Sequence, residues 1–356
     1  MVPTFIVSTG RCGSTLLSRI LNDHPDVLSL SEVFSLLTAD PRFGGEENGP
    51  AFWRRLTAVA PVIDAVVRDG IDVPELIYPY ESGRFGTSSG IPGICHMTLP
   101  MLTQAPDQLY DALAAELPHW PRRRVPEQYC RLFSWLAVRL QRRIVVERTG
   151  GSLEFLADLR QAFPDARFVY LSRDGVETAL SMSRHALCRL RVLADEALRI
   201  LGVSSFDQIG PEHAPRLREA FEPLLPPFGG GRLMGRDIPL TAFGELWSRM
   251  TQSGVSVLSE LPAGAWTALR YERLIRSARA EITAVAEFLH LPAPAEWIAR
   301  ATARVDASRI GSSRLLDGDD FASLRTACAP GIEADDAAHA VIANAGAEIA
   351  PALAAG

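Results

Sequence analysis

The chain contains no lysine. Its 356 residues include 36 basic side chains of the Lys and Arg types, and every one of them is arginine. This absence excludes pyridoxal Schiff bases, Schiff-base aldolases and the lysine of a Walker A phosphate loop. Any anion that the protein binds must therefore be held by arginine, histidine, hydroxyl groups or backbone N–H groups.

Cysteine and long apolar runs are scarce as well. The five cysteines are scattered and form no Cys-x-x-Cys pair, which favours a reduced, cytoplasmic protein without disulfides or a zinc site. No apolar run is as long as the roughly 18 residues of a membrane span, and residues 3–8 are already strand-like, leaving no room for a signal peptide. The net charge of −6 argues against a nucleic-acid partner.

Strand-like and helix-like segments alternate along most of the chain. Such alternation predicts an α/β fold of three layers, in which helices cover both faces of a central parallel sheet. Strands are predicted at 3–8, 27–30, 143–147, 167–172 and 266–270, and helices at 14–23, 52–69, 129–142, 152–162, from 174 onward, 240–260 and 272–289.

Two segments interrupt this alternation. Residues 190–238 are helical at first and then rich in Pro and Gly, which predicts a mainly helical insertion beside the core. The acidic, alanine-rich end of the chain predicts either a weak helix or a partly disordered tail. We therefore expect one main domain over 1–316 and a tail over 317–356.

A small turn joins the first predicted strand to the first predicted helix. Residues 9–15 read Thr-Gly-Arg-Cys-Gly-Ser-Thr. Such a turn can direct backbone N–H groups at a phosphate, and the helix N-terminus adds positive potential. Arg11, Ser14 and Thr15 could add further donors. The alternative is that Ser14 merely caps the helix and the glycines merely form the turn, and the local pattern does not decide between the two.

A second candidate anion site follows the strand predicted at 167–172. Arg173 stands at the C-terminal tip of this strand, and Ser181 lies about two turns into the next helix. Ligands of open parallel sheets bind at the C-terminal ends of strands. Two such sites on different strands of one sheet predict a ligand with two separated phosphate groups. The alternative for Arg173 is an ion pair with Asp174 or Glu177.

Together the two motifs resemble those of the sulfotransferases that use 3′-phosphoadenosine 5′-phosphosulfate (PAPS). In that family a turn of the form Pro-Lys/Arg-Ser-Gly-Thr-Thr binds the 5′-phosphosulfate. Residues 10–15 match it, with Gly10 in place of Pro and Cys12 in place of Ser. The family's 3′-phosphate motif is an arginine at a strand end with a serine eight residues later, which matches Arg173 and Ser181. The resemblance implies a P-loop-like fold.

Further matches make the resemblance closest to the tyrosylprotein sulfotransferases and their bacterial relatives. The resemblance covers roughly residues 3–184 and 240–315. The matching segments are His24-Pro25-Asp26-Val27 followed by Glu32, Glu147-Arg148-Thr149, Arg173-Asp174-Gly175, Leu269-Arg270-Tyr271-Glu272-Arg273-Leu274 and Phe288-Leu289.

The resemblance also implies roles for individual residues. Glu32 is the general base that deprotonates an acceptor hydroxyl, and Arg11 and Arg148 stabilise charge on the transferred group. An arginine cannot act as a general acid, so the role of Arg11 is electrostatic. The implied cofactor-binding residues are Arg11, Cys12 through its backbone N–H, Gly13, Ser14, Thr15, Arg173, Ser181, Arg184, Ser308, Arg309 and Arg314.

Plainer roles are open for several of these side chains. Glu32 could be a surface or helix-capping residue, and Arg148 could pair with Glu147 or face solvent. No cluster has metal-ligand spacing, so no metal is expected, and His24 and His96 are expected to be structural.

The expected protein is a cytoplasmic PAPS-dependent sulfotransferase that releases adenosine 3′,5′-bisphosphate (PAP). The acceptor is a hydroxyl of a small molecule or peptide, which residues 36–125 and the insertion would bind without any identifiable motif. A homodimer is an open alternative to a monomer. Two other functions are left open, namely a kinase with a non-Walker loop and a non-catalytic nucleotide-binding protein on the same fold. The lack of lysine and of a magnesium carboxylate set argues against the kinase.

Overall fold

The computed structural model describes residues 2–34, 43–205, 208–221, 230–306 and 311–354, with side chains described as far as residue 344. Its centre is a five-stranded parallel sheet with the strand order β2-β5-β1-β6-β7, and a separate antiparallel pair is formed by β3 and β4. The strands are β1 (Thr4–Val7), β2 (Val27–Ser31), β3 (Glu46–Glu47), β4 (Arg123–Arg124), β5 (Ile144–Arg148), β6 (Arg167–Ser172) and β7 (Trp266–Arg270).

Helices account for most of the remaining described residues. Short 3₁₀ turns lie at Leu117–His119, Ser152–Phe155, Pro211–His213 and Ser312–Leu315. The α-helices are α1 (Ser14–Asn22), α2 (Gly49–Thr57), α3 (Pro61–Arg68), α4 (Gly93–His96), α5 (Thr98–Leu102), α6 (Pro106–Glu116), α7 (Val125–Arg139), α8 (Leu156–Ala162), α9 (Gly175–Ser183), α10 (Ala186–Leu201), α11 (Ala214–Phe221), α12 (Gly230–Gly235), α13 (Leu240–Ser259), α14 (Tyr271–Arg276), α15 (Ala278–Phe288), α16 (Ala295–Ala303) and α17 (Gly318–Ala354).

The sheet is buried on both faces, as its apolar strands predict. Phe5 of the central strand β1 belongs to one hydrophobic core, together with residues of α7 and α13. Its neighbour Ile6 points to the other face, into a second core that includes residues of α1, α15 and α16. The side chains of a strand alternate between its faces, so one short segment anchors both layers. The predicted three-layer α/β fold with a central parallel sheet is confirmed.

Two of the predicted helices are each divided in the structure. The helix predicted at 52–69 is instead α2 and α3, because Pro61 has no N–H group to continue a helix and begins α3. The helix predicted at 272–289 is α14 and α15, separated at Ser277, whose backbone angles (φ −133, ψ 42) are not helical. Apolar periodicity runs through both breaks, so the pattern alone did not show them.

The C-terminal segment forms the long helix α17, which packs along α13. Glycine allows the close approach of the two helices: a Cβ on Gly331 would lie 2.7 Å from the Ser248 backbone, and one on Gly244 would lie 2.9 Å from Ala327. The Gly331 N–H donates to Ser248 Oγ at 2.6 Å. This packing answers the open question of the tail in favour of an ordered helix. Within the residues that the structure describes, no helix is long and apolar enough to span a membrane.

Candidate active site

A cavity of about 1120 Å³ lies at the C-terminal ends of the central strands. It brings together residues that are far apart in the sequence, including both candidate anion sites. The predicted site residues that line it are Arg11, Gly13, Ser14, Thr15, Glu32, Arg148, Arg173, Ser181 and Arg184.

The turn after β1 has the backbone of an anion cradle. Gly10, Arg11 and Gly13 all have positive φ, at 77, 56 and 89 degrees. A Cβ on Gly13 would lie 2.3 Å from the ring of Tyr271, so both the conformation and the available space require glycine there. Gly13 is also the N-cap of α1 and supplies no side-chain cap. Ser14 is therefore not the cap, and no capping side chain blocks the first N–H groups of α1 from an anion.

Cys12 faces away from the cavity. Its side chain is fully buried in the hydrophobic core beside Ile6 and Leu17, and this burial raises the pKa of the thiol. The side chain of Cys12 is thus part of the core, and a contact of its backbone N–H with the phosphosulfate stays a prediction.

Arg11 is held by two side chains. Its Nη1 donates to Glu75 Oε1 at 2.6 Å, and its Nε donates to Ser181 Oγ at 3.4 Å. The second contact places the two candidate anion sites side by side in one cavity. Arg11 is also one of the few non-glycine residues with positive φ, a conformation that tends to cluster at functional sites.

Glu75 and His185 are cavity residues that the sequence did not reveal. His185 Nε2 lies 3.1 Å from the second carboxylate oxygen of Glu75. Burial disfavours the charged form of Glu75, but the hydrogen bond from His185 and the charge of Arg11 outweigh it and lower the pKa of Glu75 to about 2. Glu75 is thus a permanent negative charge beside Arg11. No local motif marks either residue.

Glu32 lies directly after β2 and is almost completely buried. It has positive φ, at 58 degrees, and its backbone N–H donates to the Arg148 carbonyl at 2.7 Å. Its carboxylate accepts a hydrogen bond from Arg148 Nη1 and lies 3.1 and 3.2 Å from the Gly150 N–H. Arg148 therefore pairs with Glu32, not with Glu147 or solvent as the plainer alternative had it.

Glu147, the residue before Arg148, is a second buried carboxyl group near this pair. Its carboxyl is buried and accepts hydrogen bonds from Thr149 Oγ1 at 2.6 Å and from the Val33 N–H at 3.2 Å. Burial raises the pKa of Glu147 to about 8, so this group is largely protonated at neutral pH. A neutral Glu147 adds no negative charge beside the pair of Arg148 and Glu32.

Arg173 sits at the tip of β6 and joins three parts of the site. It donates to the Arg11 carbonyl at 3.4 Å and to Glu177 at 3.0 Å, and its guanidinium lies 5.0 Å from the centre of the Tyr271 ring. Glu177 also accepts from the N–H groups of Ser312 and Ser313. The ion pair with Glu177 is thus present, and it is compatible with a place in the cavity wall.

The remaining predicted side chains have varied surroundings. Arg184 is exposed at the cavity rim, whereas Arg314 is exposed on the surface and is not among the lining residues that the structure describes. Ser308 and Arg309 lie outside the described residues. Asp174, the other alternative partner of Arg173, instead caps α9 by accepting from the Glu177 N–H at 2.9 Å.

The two singled-out histidines have structural contacts. His24 lies 2.9 Å from the Pro292 carbonyl and packs edge-on against Trp297. His96 is fully buried with Asp64 at 3.5 Å, and burial lowers the pKa of His96 to about 4. Across the ranges with described side chains, no group of three or more His, Cys, Asp or Glu is arranged to hold a metal ion.

Comparison with known proteins gives only distant structural matches. No known family model matches the chain, and no curated protein matches its sequence. The sulfotransferase domain from the curacin biosynthetic pathway has 13% identity and a TM-score of 0.47, over 92% of this chain and 97% of that one. The sulfotransferase domain of the Synechococcus PCC 7002 olefin synthase has 15% identity and a TM-score of 0.48, over 92% and 94%.

A third structure is a retinol dehydratase solved with androsterone and the inactive cofactor PAP. It has 13% identity and a TM-score of 0.26, over 90% of this chain and 69% of that chain. Identities this low bear on the fold alone, and TM-scores below 0.5 assign neither a family nor an activity. They do not single out the tyrosylprotein sulfotransferases, so the function has to be argued from the site.

Proposed function

We propose that the protein transfers a sulfuryl group from PAPS to the hydroxyl of an acceptor and releases PAP. The observation that carries this proposal is the hydrogen bond between Arg11 and Ser181, which joins the two candidate anion sites within one cavity. A ligand with phosphate groups at both ends of one nucleotide matches that arrangement. A carboxylate, Glu32, lines the same cavity and supplies the base that the chemistry needs.

The residues present fit such a ligand. Backbone N–H groups at the start of α1, with Ser14, Thr15 and Arg11, would hold the 5′-phosphosulfate. Arg173 and Ser181 would hold the 3′-phosphate. When bound, PAPS supplies the sulfuryl group, and Glu32 would take the proton of the acceptor hydroxyl. Arg11 and Arg148 would stabilise the negative charge that develops during transfer.

Each of the three central arginines is paired with a glutamate in the structure. Arg11 pairs with Glu75, Arg148 with Glu32, and Arg173 with Glu177. Binding of an anion would compete with these carboxylates for the guanidinium groups. Engagement of Arg148 by the transferred group would also weaken its hold on Glu32.

A non-catalytic nucleotide-binding protein is the second candidate function. One observation favours it: Glu32 already accepts from Arg148 and the Gly150 N–H, so it could serve only to orient Arg148. The two candidates share the nucleotide site and differ in whether Glu32 takes part in turnover.

The proposed nucleotide is tested by a thermal-shift screen of the full chain. A ligand that binds only the folded state raises the melting temperature, and at equal concentration the tighter ligand raises it more. PAP is expected to raise it clearly, and adenosine 5′-monophosphate (AMP) and ATP far less, because only PAP offers phosphate at both positions. Equal shifts with PAP and AMP would contradict a site built for two separated phosphates.

Replacing Glu75 by glutamine is expected to tighten PAP binding severalfold. The substitution removes a permanent negative charge that lies 2.6 Å from Arg11, in a cavity that must accept a polyanion. The dissociation constant for PAP would be measured by titration calorimetry. Glu154→Gln is the matched control, since Glu154 lines the same cavity but pairs with Arg191. Weaker PAP binding by Glu75→Gln would show that Glu75 supports the site instead of competing for Arg11.

A further inference from the structure

The cavity continues beyond the contacts expected for the nucleotide. Beyond the predicted nucleotide contacts, its lining includes six apolar side chains, chiefly from α10 and α13. The side chains are Leu187, Leu190, Leu246, Met250, Ile63 and Met97. Leucine and methionine at this density shape a surface that favours apolar groups, and methionine adapts to varied ligand shapes.

This apolar wall adjoins the proposed base. The terminal methyl of Met250 lies 3.6 Å from the position of a Cβ on Gly151. The preceding residue, Gly150, donates its N–H to the carboxylate of Glu32. A group that packs against Met250 therefore lies close to the carboxylate that would take its proton.

Two arginines on this side of the cavity are already paired with carboxylates. Arg191 donates to Glu154 at 2.9 Å and also pairs with Asp195. Arg11 pairs with Glu75, whose pKa of about 2 keeps it ionised. The nucleotide would add several negative charges of its own. Neither of these arginines is free to bind a carboxylate of the acceptor, and the phosphates of the cofactor would repel such an acceptor.

The size of the cavity leaves room for a second molecule. Its volume of about 1120 Å³ exceeds the range of roughly 300–1,000 Å³ that is usual for a site holding one small ligand. A nucleotide and a compact acceptor can share it.

From these observations we infer that the acceptor is a neutral alcohol with an apolar body, and not an acidic peptide. This inference rests on the proposed function, because it takes Glu32 as the base and the nucleotide as the neighbour. The inferred acceptor differs from the peptide acceptor that a resemblance to tyrosylprotein sulfotransferases would imply. The apolar body would lie against α10 and α13, with its hydroxyl at Glu32.

Three phenols of similar size but different charge form a charge series, and a peptide is added to them. Each is titrated by calorimetry into the full chain with PAP bound. The probes are 4-ethylphenol (neutral), tyramine (cationic), 4-hydroxyphenylacetate (anionic) and a tyrosine peptide flanked by glutamates. We expect 4-ethylphenol to bind at least about tenfold more tightly than 4-hydroxyphenylacetate, and the peptide to bind more weakly than 4-ethylphenol. Equal or tighter binding of the anion or the peptide would overturn the inference.

A variant locates the binding. Leu190→Gln places a polar group in the apolar wall and should weaken 4-ethylphenol about five- to tenfold. Leu315→Gln is the matched control, because Leu315 is 84% exposed on the surface, and it should leave binding unchanged. Equal effects of the two substitutions would show that the phenol binds elsewhere. The charge series needs no variant and is decisive even if Leu190→Gln does not fold.

The design separates this inference from the proposed function. Binding of PAP followed by no binding of any neutral phenol would overturn the acceptor inference alone. No binding of PAP, with 4-ethylphenol still bound in a manner sensitive to Leu190, would overturn the proposed function and leave the apolar site standing.

Discussion

Glu32→Gln is expected to lower turnover by about 10²–10⁴-fold, the usual contribution of a general base. Glutamine keeps the shape of the side chain and its contact with the Gly150 N–H but cannot accept the acceptor's proton. Because a negative neighbour is removed, PAP should bind as tightly as to the wild type or slightly more tightly. The measurement is steady-state release of PAP from PAPS in the presence of an alcohol acceptor, together with a PAP titration.

The matched control is again Glu154→Gln, which removes the same charge from the same cavity away from Arg148. It should retain near-normal turnover. Near-normal turnover in Glu32→Gln would rule out Glu32 as the base. His96 could not replace it, because it is fully buried and is not among the described residues that line the cavity, and burial lowers its pKa to about 4. His185, which lines the cavity, would then be the next candidate.

Arg11→Ala is expected to lower kcat by about 10²-fold or more, with a much smaller effect on the affinity for PAPS. Removal of one fixed donor that stabilises developing charge costs about 10²–10³ in kcat. The charge of Arg11 matters most when the bridging oxygen becomes anionic, so the loss should fall on turnover. Arg11→Lys should retain much of the activity, because a cationic donor is kept.

Separate values of kcat and of KM for PAPS decide this prediction. A variant in which only KM rises would show that Arg11 binds the ground state and has no special part in transfer. The contact of Arg11 with Ser181 predicts a modest rise in KM in addition, because it links Arg11 to the neighbouring 3′-phosphate site.

The sequence predicted the parts of this site that lie at strand ends. The turn at residues 9–15 and Arg173 each follow a strand directly, and Ser181 lies in the helix after Arg173, so a local pattern locates them at the C-terminal edge of the sheet. The structure brings both motifs and Glu32 to one cavity. The sheet itself was predictable because each of its strands is a short apolar run before or after an amphipathic helix.

Glu75 and His185 could not be found in this way. Glu75 meets Arg11 across 64 residues of sequence and meets His185 across 110. Neither residue belongs to a motif, and only the packing of α10 against the segment after α3 brings them together. The sequence left the tail open between a weak helix and partial disorder for a related reason. Its packing on α13 depends on Gly331 and Gly244, small residues that carry no apolar periodicity.

The central claim is that one nucleotide is held by both of its phosphate groups, and a calorimetric cycle tests it most directly. PAP and AMP are titrated into the wild type and into Arg173→Ala, with Arg279→Ala as control because Arg279 is exposed on α15. Charge-assisted contacts to phosphate are each worth about 1.5–3 kcal/mol, so Arg173→Ala should weaken PAP about ten- to a hundredfold and leave AMP unchanged. Equal weakening of PAP and AMP by Arg173→Ala would contradict a contact between Arg173 and the 3′-phosphate, because Arg173 would then only support the cavity wall.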